Sequence, residues 1–229
     1  MYIGRIMKTD LVTVLPETSL VEARNIIESK DVDHLLVVDK KGKLVGVLSD
    51  KDLKQAWASP ATSLSTHELN YLLDKVVVQM IMIKTVVTVS VDTTIERAAY
   101  IMMQHNINSL PVMENDELAG IITSTDVNRV LLEAIGMSDD AVRLGVLVKD
   151  SMGVLADVTA ILRDAKVNIL SILSWPEKEY PGVTQLVIRV GSRDGLMAVN
   201  ALREGGYNVK TSYVKDITPY LPVDEYTDA

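Results

Sequence analysis

Two heptapeptides, GVLSDKD at 46–52 and GIITSTD at 120–126, share one grammar. An apolar run ends in a hydroxyl, and a carboxylate follows three residues later. That spacing suits a strand that stops and a helix that starts. The hydroxyl and carboxylate can then cap the helix. Alternatively, the first amides of the helix, which lack internal partners and carry partial positive charge, receive a phosphate. In that case Ser49 or Thr123 adds a donor, and Asp52 or Asp126 accepts from both hydroxyls of a ribose. The residues alone leave both chemistries open.

The two sites are not equal. The first carries Asp50, Lys51 and Asp52, the second Ser124, Thr125 and Asp126. A second carboxylate beside a phosphate is unfavourable, so the second site is expected to be the better phosphate site. Asp126→Ala is expected to weaken nucleotide binding more than Asp52→Ala. The segments Thr85-Val86-Val87 and Asp10-Leu11-Val12 are expected to line the clefts and offer backbone bonds to a base, or else to serve only as core. His34 reads as structural or exposed rather than as a ligand.

The phrases recur because the first half is an internal repeat. Residues 6–20 lie over 81–95 at an offset of 75, and the offset falls to 74 after a turn near Lys40-Lys41-Gly42. Each copy reads as β-α-β-β-α. A short extended segment precedes a helix with good caps at Ser19 or Thr94. Leu20, Ala23 and Ile27, like Ile95, Ala98 and Met102, share one helical face. Two apolar runs split by a polar turn read as a hairpin. Two copies burying their sheet faces together give a pseudo-twofold pair with two clefts. A linker carries a capped helix start at Ser65-Thr66-His67-Glu68.

IMKTDLVTV with GVLSDKDL, and IMIKTVVTV with SLPVMENDELAGIITSTDV, together resemble a pair of CBS domains, a Bateman module. The resemblance implies adenine nucleotides in the clefts, with the aspartate of the motif on the ribose. The expected nucleotide contacts are Ser49, Asp52, Thr85, Val87, Thr123, Ser124, Asp126, Asp10 and Val12.

The second half reads β-α-β-β-α-β, a ferredoxin-like order. Its helices are expected over 154–165, with Leu155, Val158, Ile161 and Leu162 on one side, and over 195–204. Its last strand is expected over 207–214. VLVKDSMGVLADVTAILRDAKVNILSI resembles an ACT domain, with Met152 standing where the family often has proline. The resemblance implies a small effector such as an amino acid, held by Asp150, Gly153, Leu155 and Asn168, often at a dimer interface. The same residues also suit plain turn chemistry.

The fold class is therefore α/β (α+β). The expected domains are CBS repeat 1 over 1–56, a linker over 57–75, CBS repeat 2 over 76–136, an ACT-like domain over 137–215 and an extended or disordered tail over 216–229. A CBS pair followed by an ACT-like domain is similar to the acetoin-utilisation AcuB-like proteins.

The 229 residues carry a net charge of −8, which speaks against nucleic acid and anionic membranes. There is no Cys and no Phe, so the core is aliphatic with ten Met. The N-terminus lacks the apolar core of a signal peptide, and a cytoplasmic protein is expected. No nucleotide-binding Gly-Lys loop, nucleophile elbow or zinc-binding helix motif occurs, and the three His are scattered. The expectation is a non-enzyme, without metal or required cofactor. It is a homodimeric regulatory sensor of AMP, ADP, ATP or S-adenosylmethionine, acting on an enzyme or transporter the sequence does not identify, in acetoin or carbon metabolism. The alternative is an adaptor that assembles partners through its CBS and ACT surfaces.

Overall fold

The computed structural model describes residues 1–57 and 75–222. The expected helix start at Ser65 and His67 lies outside the described residues. The chain divides into two compact units, Met1–Asn128 and Arg129–Ala229.

Each of the two repeats folds as read. Copy one has β1 (Thr13–Val14), α1 (Leu20–Lys30), β2 (His34–Val38), β3 (Leu44–Ser49) and α2 (Asp50–Ala56). Copy two has β4 (Val89–Ser90), α3 (Ile95–His105), β5 (Ser109–Glu114), β6 (Glu117–Thr123) and α4 (Ser124–Ala134). The two three-stranded sheets run β1-β2-β3 and β4-β5-β6, each with one parallel and one antiparallel pairing. Ser19 and Thr94 cap α1 and α3 by accepting from the amides of Glu22 and Arg97. Leu20, Ala23 and Ile27 are buried, as are Ile95, Ala98 and Met102.

The change of offset lies in the hairpin turns. Copy two turns tightly through Asn115 and Asp116, both with positive φ, the geometry of a two-residue hairpin loop. Copy one uses a longer loop, with Gly42 at φ 80°. There the Asp39 carboxylate accepts the amides of Lys41 and Lys43 at 2.8 and 2.9 Å. Those amides, Lys43 first, hold the Asp39 carboxyl below its usual range.

The copies exchange their leading segments. The amide of Lys8 donates to the Ile121 carbonyl of β6, and that of Ile121 returns to Lys8, at 2.9 and 3.0 Å. Ile83 and Val47 of β3 make the matching pair at 2.9 and 3.1 Å. Residues before each β1-like strand thus complete the sheet of the other copy. Between the sheets, Leu36, Val47 and Ile121 form a buried cluster against Leu11 and Val86.

The second unit contains β7 (Ala141–Lys149), α5 (Val154–Asp164), β8 (Ile169–Pro176), β9 (Val183–Gly191), α6 (Gly195–Glu204) and β10 (Val209–Lys210). Sheet order is β10-β7-β9-β8, and every described pairing is antiparallel. Leu144, Val146, Ile188, Val158, Leu162, Ala198 and Leu202 belong to its core. Two expectations change. The last strand keeps only Val209 and Lys210, because the chain leaves the sheet before Tyr213, which is 88% exposed. Leu155 is exposed, although Val158 and Leu162 on the same helix are fully buried.

The start of the tail is also ordered. Thr218–Tyr220 forms a 3-10 turn, and Leu221 is buried against Leu147 and Val183. An extended or disordered reading does not hold for 218–221, because an apolar side chain there finds a place on the sheet.

Candidate functional site

Each heptapeptide does close a strand and open a helix. In copy one the Asp52 Oδ2 accepts from the Ser49 amide at 2.9 Å and from its hydroxyl at 2.5 Å. The Asp52 amide returns to Ser49 Oγ at 3.2 Å. In copy two Asp126 Oδ2 accepts from the Thr123 amide at 3.1 Å and its hydroxyl at 2.6 Å, and the Asp126 amide donates to Thr123 Oγ1 at 3.3 Å. Both are reciprocal capping boxes. The capping chemistry is therefore present at both turns, whatever else they do.

A cleft of about 570 Å³ lies within the first unit, where the two turns converge. Ser49, Asp50, Lys51 and Asp52 line it from copy one; Thr123, Ser124 and Thr125 line it from copy two. Val47, Ile83, Val86, Val87 and Pro111 give it an apolar wall. Thr85 lines it as well.

Asp126 does not line it. This carboxylate is only 7% exposed, although its bonds to the Thr123 amide and hydroxyl are the same as those Asp52 makes to Ser49. The expected sugar-binding residue of copy two is thus off the cleft surface, while its counterpart Asp52 is on it. Asp10 and Val12, equivalent to Thr85 and Val87, do not line this cleft either. Asp10 is exposed, and Val12 packs against the copy-one core.

His34, at the start of β2, lines the cleft. Its Nδ1 is buried and has no hydrogen-bond partner among the described residues. Burial pushes its pKa below the usual 6.5, partly opposed by the charges of Asp33 and Asp52. A protonation resisted in the folded state makes the unfolded chain bind more protons below pH 6.5. Stability should therefore fall as pH drops through and below 6.5. His34→Gln is expected to flatten that part of a urea-midpoint profile, leaving the values above pH 7 parallel to the parent.

The glycine of each phrase has a role that the sequence reading missed. A Cβ on Gly46 would overlap the Met82 side chain and lie 3.2 Å from the Ile83 carbonyl. One on Gly120 would overlap Met7 and lie 3.0 Å from the Lys8 carbonyl. Glycine is needed because the exchanged segment of the other copy passes directly over the strand. The paired methionines at the repeat offset, Met7 and Met82, were the available signal.

In the second unit the expected effector residues are separated. Gly153, at φ 94°, begins α5 without a side-chain cap, and the Asp150 amide donates to the Gly182 carbonyl at 2.7 Å. Asp150, Gly153, Leu155 and Asn168 are all exposed. Strand register puts Lys149 opposite Val183, but Ile169 opposite Val190. Seven strand positions, roughly 23 Å at about 3.3 Å each, divide the two ends. The crossover helix α5 returns the chain to the far end of the sheet, so Asn168 and Asp150 of one chain do not share a small ligand.

Among the described residues, no cluster of His, Asp and Glu fits a metal ion. Among them, too, no helix is long and apolar enough to cross a membrane.

The CBS domain model matches residues 3–59 and 78–133, and the ACT domain model matches 142–202. The chain is 32% identical over 133 residues to the homoserine O-acetyltransferase of Methanohalobium evestigatum, which spans 58% of this chain but 24% of that enzyme. Relatives named as enzymes are thus matched over a fraction of their own length. The CBS domain pair of MJ0100, solved with 5′-methylthioadenosine and S-adenosyl-L-methionine, is 26% identical over 57% of this chain and 95% of its own, with a TM-score of 0.48. The AcuB structure from Vibrio cholerae is 28% identical over 61% of this chain and 98% of its own, with a TM-score of 0.49. With both repeats and the ferredoxin-like unit in place, the chain is a tandem CBS-domain protein with a C-terminal ACT domain.

Proposed function

We propose that the CBS pair is a regulatory sensor that holds an adenine nucleotide or another adenosyl ligand in the cleft between its copies. One observation carries this reading: the strand-to-helix turns of both copies open into a single cleft of about 570 Å³. Small-ligand sites commonly measure roughly 300–1,000 Å³ and pair apolar walls with a few polar groups. Val47, Val86, Val87 and Pro111 suit the faces of a purine. Ser124 and Thr125, in the first turn of an eleven-residue helix, offer their hydroxyls to the rest of the ligand. The ribose falls to Asp52, the carboxylate on the cleft surface, in place of Asp126.

The ACT domain on this reading pairs with a second copy of the chain. Leu155, Leu170 and Leu196 are exposed apolar side chains that such a pairing can cover. An effector at the Asp150–Gly153 turn and a role in acetoin or carbon metabolism complete the reading. Thermal unfolding with AMP, ATP and S-adenosylmethionine tests the sensor. A ligand at a hundred times its dissociation constant should add about 2.7 kcal/mol of stability. No shift with any of them at millimolar concentration favours the adaptor function instead.

A further inference from the structure

The two walls of the cleft differ by an exchange of charged groups, two acids and one base, for neutral ones. Asn106, in the lining, ends α3 in the left-handed conformation; its counterpart Asp31 ends α1 in the same conformation but lies outside the lining. Asp33 is matched by Asn108: their carbonyls accept from the amides of Asp50 and Ser124 at 2.9 and 2.8 Å. Asp50 is itself matched by Ser124, and Lys51 by Thr125. Only the capping aspartate is kept, and of that pair only Asp52 faces the cleft.

Among the described residues, the cleft is therefore lined by three carboxylates, Asp33, Asp50 and Asp52, against one ammonium, Lys51. Lys54, outside the lining, pairs with Asp50 at 2.5 Å. None of the described arginines contributes to the lining. The opposite wall offers Asn106, Asn108, Ser124 and Thr125, which carry no charge. Across a cleft of this size a triphosphate would bring its anionic oxygens towards the carboxylates, and like charges brought together disfavour a partner strongly. A cationic group in the same place is attracted.

Building on the adenosyl reading of this cleft, we propose that it selects adenosyl ligands with a cationic tail, the sulfonium class, and discriminates against polyphosphates. The acidic wall of copy one receives the cation. The neutral wall of copy two receives uncharged polar groups.

Isothermal titration of the full chain separates the possibilities, using S-adenosylmethionine, S-adenosylhomocysteine, AMP and ATP. S-adenosylmethionine and its demethylated product differ by one methyl and the sulfonium charge. The former is expected to bind about tenfold tighter than the latter, and tighter than ATP. In the double variant Asp33→Asn/Asp50→Ser, which installs the residues of copy two, that ratio should fall towards one and ATP should gain affinity. A urea midpoint confirms that the variant is folded, and single substitutions replace it if it is not. ATP binding more tightly than S-adenosylmethionine in the parent, or a ratio unchanged in the variants, overturns the charge selection while leaving an adenosyl site intact. Binding of none of the four overturns the adenosyl reading, and this inference with it.

Discussion

Gly120→Val should lower the stability of the chain by about 3 kcal/mol or more in urea unfolding. Overpacking of a well-filled site typically costs about 1–3 kcal/mol, and occasionally more when backbone must move. Backbone must move here. The space a Cβ of residue 120 would need is occupied by the Met7 side chain, and the Lys8 carbonyl lies 3.0 Å from that point. That carbonyl accepts from Ile121, and the Lys8 amide donates back. A branched side chain pushes the leading segment off β6 and strains both bonds. Gly42→Ala is the control: its φ of 80° strains a side chain, but no described atom lies within 4 Å. Left-handed strain alone accounts for about 1–2 kcal/mol. If Gly120→Val costs no more than Gly42→Ala, the exchanged segments do not hold the two copies together.

Leu36→Ala should cost about 2–5 kcal/mol, the range for emptying a buried leucine site. Leu36 is 1% exposed and sits between the two sheets with Val47 and Ile121. The cavity would open at the floor that also supports Val86, a cleft residue. Loss of stability should therefore come with weaker ligand binding, whereas Leu162→Ala, in the core of the second unit, should cost a similar amount of stability and leave the cleft unchanged. Urea unfolding and titration on the same samples measure both effects. Equal weakening of binding by the two variants would mean that global instability, rather than the cleft floor, is responsible.

The repeat was legible because side-chain type carries it. The spacing of Leu20, Ala23 and Ile27 and its echo at Ile95, Ala98 and Met102 gave both helices and their buried faces. Ser49 and Thr123 marked the turns because a capping hydroxyl is a local chemical need. The exchange of leading segments was not legible, since it is made by backbone bonds at Lys8 and Ile83, which any residue can form. The place of Asp126 off this cleft was likewise not legible. Both aspartates stand three residues after a capping hydroxyl, and the burial that sets Asp126 apart is visible only in the folded chain. Asp150 and Asn168 looked like partners because both flank one helix. A crossover helix separates its two ends by its own length, so that nearness in sequence was misleading. The acid-to-amide exchange between Asp33 and Asn108 was readable at the repeat offset, but its meaning needed both residues to line one cleft.

The most direct test is to follow backbone amide resonances while adenosine, AMP or S-adenosylmethionine is added to the full chain. The largest shifts should fall at 49–52, 85–87 and 123–125, together, at the two turns and the exchanged segment between them. Shifts confined to 150–155, or none at millimolar ligand, would contradict a ligand site in the CBS cleft.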